Sequence, residues 1–265
     1  MNLKNSFSTK TLTLFILIFL FFSCASRKDI IYYQNIEDIN GKQNTNSYEV
    51  KIKADDLLMI VVSAEDPEIA IPFNLTTAAV PSSNVTSVGG QQSMQTYLVD
   101  SEGMIDFPIL GKLQIGGMTR TELTNLLHEK ISKYIKKPIV NIRITNFKIS
   151  VQGEVIAPGT FDIRTERVTL PEALSMARDL TIYGKRNNIL VIREVNGLKS
   201  FNRVDITKAD FMNSPFYYLT QNDVVYVEPN DTKVNGSKVG PNTGVIISIT
   251  SLLITITTLI IANTK

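Results

Sequence analysis

The chain holds one cysteine, Cys24, and one histidine, His128, the two residue types most used for nucleophilic and metal chemistry. A lone thiol can form no internal disulfide and by itself builds no thiolate metal cage. His128 follows Leu127 in a stretch of helical period, where a surface or interface place accounts for it. The carboxylates Asp100, Glu102 and Asp106 cluster about Gly103, and two carboxylates at the right separation can cleave a glycosidic bond. Their spacing around a glycine reads instead as hairpin chemistry. No G-x-S-x-G, H-E-x-x-H, Walker A or G-x-G-x-x-G run is present. The residues therefore predict no catalytic group, no metal and no cofactor.

Cys24 is placed for a different chemistry. Lys4 and Lys10 lead into residues 11–22 (TLTLFILIFLFF), an uncharged run too short to span a bilayer comfortably and of the length of a secretory signal core. Phe21-Phe22-Ser23-Cys24 resembles a bacterial lipobox, with Phe21 where leucine is usual. That resemblance implies a lipoprotein signal peptide over 1–23 and acylation, palmitate included, of Cys24, where several chains together anchor stably. Removing 1–23 takes away Lys4 and Lys10 and leaves 25 basic against 25 acidic residues. A balanced chain argues against a nucleic-acid partner, which would show a clustered basic excess. Without tryptophan, the nine tyrosines would have to supply any aromatic platform for a sugar.

A second membrane signal lies at residues 245–262, which carry no charge. As a helix this run would be about 27 Å long, enough for a thin bilayer core. Ser248, Ser251, Thr255, Thr258 and Ala262 fall on one stripe of a helical wheel, and most of the rest is Ile and Leu. Ten Ile/Leu residues and one valine favour insertion by roughly 3–6 kcal/mol before the hydroxyl costs. The stripe suits close helix packing or a pore lining; a plain spanning anchor and a packed core helix stay open.

The elements between these signals read as α+β. Residues 24–47 are polar and Asn-rich and predict a lipidated tether. Residues 48–63 alternate through Val50, Ile52, Leu58, Ile60 and Val62, with a turn at Ala54-Asp55-Asp56, and predict strands. Residues 73–96 predict a mobile loop. Tyr97 to Val99 and Met104 to Phe107 predict a hairpin about Ser101-Glu102-Gly103. Thr119 and Glu122 form a capping box for a helix with Leu123, Leu126, Leu127, Ile131 and Tyr134 on one face, closed by Lys136-Lys137-Pro138. Residues 139–147 alternate as a half-buried strand. A second unit follows: a hairpin at 149–163 turning at Pro158-Gly159, a helix capped by Thr169 and Glu172 that carries Ala173, Leu174 and Ala177, a hairpin around Asn196-Gly197, and a closing strand at 224–227. Strands around one helix predict a β-grasp-like unit, and 229–244 predicts a linker.

Four runs in this order resemble a known family. Val99-Asp100-Ser101-Glu102-Gly103-Met104-Ile105-Asp106-Phe107-Pro108-Ile109-Leu110-Gly111 is similar to the D-x-x-G-x-I-x-x-P-x-x-G core of polysaccharide biosynthesis/export proteins. Gly117-Met118-Thr119-Arg120-Thr121-Glu122-Leu123 resembles the G-x-T-x-x-E-L that follows it. Ile52-Lys53-Ala54-Asp55-Asp56-Leu57-Leu58 resembles the opening I-x-x-G-D-x-L, with Ala54 where glycine is usual. Val151-Gln152-Gly153-Glu154-Val155-Ile156-Ala157-Pro158-Gly159-Thr160-Phe161 resembles the start of a soluble-ligand-binding β-grasp (SLBB) domain. At Ala177-Arg178-Asp179-Leu180 the family usually has Ala-Gly-Gly.

The resemblance implies a polysaccharide export domain over 48–147, one SLBB domain over 148–228, a linker over 229–244 and a membrane-spanning helix over 245–262. It implies a porin-like, non-enzymatic channel for capsular polysaccharide or exopolysaccharide: a lipid-anchored outer-membrane homo-oligomer with its domains in the periplasm. That homo-oligomer would be a ring, an octamer being one form, whose C-terminal helices make the pore. The polymer, membrane lipid, other copies of itself and an inner-membrane chain-length regulator, often a tyrosine autokinase, would be its partners. A membrane-anchored periplasmic glycan-binding adaptor without a pore is the alternative.

Overall fold

Leu58, Ile60 and Val62 alternate with more exposed neighbours, and this period of two makes Leu57–Ser63 the first strand, β1. The computed structural model describes residues 27–39, 48–76, 94–195, 197–238, 240 and 242–263. Val50 and Ile52, expected in a strand, lie outside one. Asp55 turns the chain at φ +66° just before β1, so Ile52 packs into the core from an irregular segment. After β1 comes α1 (Pro67–Ala70), with the Asp66 side chain accepting the Glu68 N–H, and then a 3-10 turn ending at Phe73. Phe73 is buried, which corrects the start of the loop expected from residue 73; residues 77–93 of that loop lie outside the described residues.

The expected hairpin of Tyr97 and Met104 is also corrected. β2 (Tyr97–Leu98) pairs with β1, whereas β3 (Met104–Phe107) pairs with β4 (Gly111–Gln114). The turn at 100–103, where the Asp100 N–H donates to the Met104 carbonyl, leads into β3 without a ladder to β2, and the tip at Pro108 to Leu110 folds the chain back onto β3. α2 (Arg120–Ile131) buries Leu123, Leu127 and Ile131 completely, each contributing about 1.5–3 kcal/mol. It ends at Ser132, before the lysines expected to close it. Tyr134 is 59% exposed and Ile135 takes the buried place instead. β5 (Ile139–Ile144) completes the sheet β2-β1-β5 and lies against α2.

A second hydrophobic core begins at Phe147. β6 (Lys148–Gly153) and β7 (Gly159–Asp162) form a hairpin; β8 (Val168–Thr169) precedes α3 (Leu170–Met176), which buries Leu170, Ala173 and Leu174. β9 (Gly184–Val195) and β10 (Leu198–Val204) form the long hairpin about Gly197, at φ +74°, while Asn196 lies outside the described residues. β11 (Tyr218–Leu219) pairs with β8, and β12 (Val224–Pro229) enters between β9 and β6. The sheet order is β10-β9-β12-β6-β7, with β12 parallel to β6 and every other pair antiparallel. The chain is thus a mixed α and β protein with two cores.

Two segments read as connectors are ordered. Pro229 ends β12, and the Asn230 side chain caps α4 (Asp231–Ser237) by accepting the Lys233 N–H at 3.0 Å, so 229–244 is not a plain linker. Residues 27–39 of the expected tether fold onto the second core: the N–H groups of Tyr33 and Gln34 donate to the Ile206 and Thr207 carbonyls, and Tyr33 stacks on Phe211 at 5.8 Å. The last element, α5 (Thr243–Asn263), extends the expected helix by a residue or two at each end.

Candidate functional site

The signature residues of the first domain interlock although they are far apart in sequence. Ile52 exchanges backbone hydrogen bonds with Gly117 and Met118, Asp55 N–H donates to the Val99 carbonyl, and Val99 N–H donates to the Asp56 carbonyl. Asp56 is fully buried; its Oδ2 accepts the Lys53 N–H at 2.8 Å, while Oδ1 has no partner among the described residues. Burial raises its carboxyl to about 6, against the opposing pull of the Lys53 N–H. Asp100 Oδ1 accepts the N–H groups of Glu102 and Met104 at 2.9 and 2.8 Å. That carboxylate is therefore spent on the turn. Gly103, at φ +78°, presses against Gly116, where a Cβ would lie 2.9 Å from the Gly116 Cα. Pro108 accepts the Leu110 N–H across Ile109, and Gly111 opens β4. Thr119 and Glu122 form the capping box in full.

In the second domain the sequence-predicted residues hold one end of the sheet. Gly153, at φ +91°, lets β6 approach β12 so closely that a Cβ would stand 2.1 Å from the Val227 carbonyl oxygen. Glu154 Oε2 accepts the Thr181 hydroxyl at 2.7 Å, and its other oxygen lies 3.6 Å from Lys233 Nζ on α4. Pro158 and Gly159 lead into β7. Arg178 and Asp179, where the resembled family has glycines, adopt φ +59° and +69°. His128 is exposed on α2. The signature residues thus form turns in two groups and do not converge on a common centre. Among the described residues no three His, Cys, Asp or Glu side chains are grouped to hold a metal ion; Cys24 lies outside them.

The two domains meet through polar side chains that sequence patterns do not reveal. Asn146 accepts the Leu57 N–H and donates to the Asp55 carbonyl; its own carbonyl accepts from Gln221, which also accepts the Lys148 N–H. Lys53 Nζ reaches the Thr220 hydroxyl at 3.1 Å, and burial lowers its pKa. Asp223, fully buried, accepts from Arg193 through Nε and Nη2, with the closest contact at 2.7 Å, and from the N–H and hydroxyl of Thr220.

Beside this joint runs a groove of about 880 Å³ between the outer face of β1 and β5 and the loop joining β7 to β8. Met59 and Val61 contribute apolar floor, and Tyr48 forms a wall, its ring stacked on Tyr218 at 4.8 Å with the planes 9° apart. Four arginines line it: Arg120, Arg143, Arg164 and Arg167. Arg120 pairs with Glu166 at 2.9 Å across the groove, and Arg167 lies over the Tyr218 ring at 5.5 Å. Arg143 and Arg164 make no ion pair or side-chain hydrogen bond among the described residues. Sequence analysis missed this cluster because only Arg164 and Arg167 are near neighbours in the chain.

α5 is exposed along its described length and long and apolar enough to cross a membrane. The hydroxyls of Ser248, Ser251, Thr255 and Thr258 donate to carbonyls three or four residues back on the same helix. Thr250 and Thr257 do likewise from the opposite side, a second polar pair that a single-stripe reading passes over.

These features define a mixed α and β protein with two hydrophobic cores, whose buried polar side chains hold turns and the joint between the cores, and whose last helix is bare and apolar. Residues 44–145 match the model of the polysaccharide biosynthesis/export protein family. The chain is similar to the EPS I polysaccharide export outer membrane protein EpsA of Ralstonia solanacearum, 29% identical over 200 residues that cover 73% of this chain and 52% of that protein. It is also similar to the protein of the same name in Ralstonia nicotianae, 31% identical over 147 residues, 54% of this chain and 38% of that protein. The chain therefore spans about half or less of the length of the curated relatives it matches.

Proposed function

We propose that this protein is an outer-membrane polysaccharide export lipoprotein, a protomer of a ring whose C-terminal helices together line the passage for the polymer. The observation that carries the reading is the conjunction of a match to the export family over 44–145 with a 21-residue apolar helix that nothing among the described residues covers. An exposed helix of this kind is stable in lipid or against copies of itself, not in water. The named relatives, both polysaccharide export outer membrane proteins, support an export role at the outer membrane.

The second domain is read as a β-grasp of the SLBB type. Support comes from the central parallel pair β6 and β12, flanked by the two hairpins, with α3 between those hairpins in sequence. The Asp100 carboxylate is committed to its turn, which supports a channel without covalent chemistry. Acylation of Cys24 and partnership with an inner-membrane chain-length regulator belong to the same proposal.

One observation favours the adaptor alternative: the hydroxyls of α5 are satisfied by their own helix, so the stripe does not require a wet lumen. Deletion of residues 245–265 tests both readings. A channel loses surface polysaccharide while the two domains stay folded; normal surface polymer in that strain rejects the channel. An epitope after Lys265, labelled on intact cells, places the helix end outside the cell. Protection until permeabilisation, with export intact, supports the adaptor.

A further inference from the structure

We infer that the groove between the two domains is a binding site for a carboxylate-bearing segment of glycan, with Arg143 and Arg164 as its anion contacts and Tyr48 as its packing wall. The charge pattern carries the inference. All 25 acidic residues of the chain lie within the described residues, and none pairs with Arg143 or Arg164. Glu166 is taken by Arg120, and Glu49 accepts the Thr121 hydroxyl. Two guanidinium groups thus face the groove with no side-chain carboxylate of their own chain to neutralise them.

Guanidinium is the cation suited to such a partner. Its planar fork meets a carboxylate through two parallel N–H bonds and sheds water more readily than an ammonium. The remaining wall suits a sugar ring, which offers apolar C–H faces and polar edges. Tyr48 is held rigid by its stack on Tyr218, and Met59 and Val61 supply apolar floor. At about 880 Å³ the groove holds more than one sugar residue. The pair Arg120 and Glu166 closes across the groove at 2.9 Å. An uncharged glycan would leave Arg143 and Arg164 without an anionic partner, so the site selects for anionic polymer.

This inference deepens the export reading and rests on it for the polymer's identity as a glycan. It is tested on the full chain in lipid nanodiscs by titration calorimetry with a hexamer of galacturonic acid and with neutral maltohexaose. The expected result is binding of the galacturonate hexamer, at least about tenfold weaker binding of maltohexaose, and loss of at least about tenfold of the galacturonate affinity in Arg143→Gln/Arg164→Gln. Both arginines are exposed and make no ion pair or side-chain hydrogen bond among the described residues, so the variant should keep the wild-type melting temperature. Equal affinity for the two sugars, no galacturonate binding, or unchanged affinity in the variant overturns the inference. A variant that falls apart into smaller species, in a protein that ignores galacturonate, assigns the arginines to carboxylates of a second copy and also overturns it. Loss of export on deleting 245–265 together with no galacturonate binding would reject the groove alone. Galacturonate binding with normal export in that deletion would reject the channel alone.

Discussion

The Tyr32 hydroxyl donates to Asp179 Oδ1 at 2.7 Å, joining two residues 147 positions apart. The bond pins the segment that follows Cys24 to the loop after α3, where the same carboxylate oxygen also accepts the Leu180 N–H. Burial, reinforced by the Asp179 carboxylate, holds the Tyr32 hydroxyl far above its ordinary pKa, so it remains a donor across neutral pH. Tyr32→Phe should remove about 1 kcal/mol from this attachment. Amide exchange at Tyr33 and Gln34 should quicken by about fivefold, with the two cores unaffected; unchanged exchange would show that the aromatic contacts alone hold the segment.

Arg178 precedes that carboxylate in a left-handed conformation, with its side chain exposed and making no hydrogen bond among the described residues. A left-handed residue with a Cβ costs about 1–2 kcal/mol, part of which glycine returns as unfolded-state entropy. Arg178→Gly should therefore raise stability by up to about 1 kcal/mol. A drop in melting temperature would contradict the strain assigned to this turn.

Asp56 gives the first domain a pH dependence of defined sign. Its carboxyl is raised from 3.8 to about 6 in the folded protein, so between those values the folded state binds more protons than the unfolded one. Stability should fall as pH rises from about 4 to about 6, by up to about 3 kcal/mol, and then stay level with respect to this group. Asp56→Asn keeps an oxygen for the Lys53 N–H and should flatten that window. Urea titrations at pH 4, 5, 6 and 7 for both proteins measure it, and parallel curves would refute the assignment.

Gly153 and Gly103 are both left-handed and both close to backbone, but not equally. At Gly153 a Cβ meets the Val227 carbonyl at 2.1 Å, inside the parallel pairing of β6 with β12; at Gly103 the nearest backbone atom is 2.9 Å away. Gly153→Ala must displace a central strand and should abolish stable folding of the second domain. Gly103→Ala should cost about 1–3 kcal/mol of backbone strain together with a local shift of the turn. Circular dichroism melts of the two variants should differ accordingly; equal melts would mean that the close approach at Gly153 relaxes.

Asp223 and Arg193 form the buried ion pair beside the domain joint. Arg193→Leu leaves the Asp223 carboxylate buried with only Thr220 as donor and should cost about 3–5 kcal/mol. Replacing both, as Arg193→Leu with Asp223→Leu, should recover part of that loss. A double variant no more stable than the single one would show that Thr220 and the Pro215 and Tyr218 carbonyls, which also bind these two side chains, matter more than the charge pair.

What was legible in the sequence was local. Both capping boxes, at Thr119 with Glu122 and Thr169 with Glu172, form because donor and acceptor lie within one helical turn. The hairpin about Gly197 and the apolar α5 follow from spacing and composition in the same way. The failures share a different cause. Tyr97 and Met104 look like hairpin partners along the chain, yet β2 finds β1 some forty residues earlier. Tyr134 keeps the period of α2, but the helix has already ended at Ser132, so Ile135 is the residue turned inward. Residues 27–39 carry no periodic pattern and order only because Asp179, Ile206 and Phe211 offer them partners.

The sequence by itself determined the two capped helices, the turn at Asp100 to Gly103, the apolar run of α5 and the absence of a local catalytic pattern. Each depends on residues a few positions apart, whose geometry covalent structure already constrains. The tertiary structure alone decided the insertion of β12 between β6 and β9, the docking of the N-terminal segment, and the gathering of Arg120, Arg143, Arg164 and Arg167 around one groove. Those depend on closing loops of tens of residues, which only the burial of two hydrophobic cores can offset.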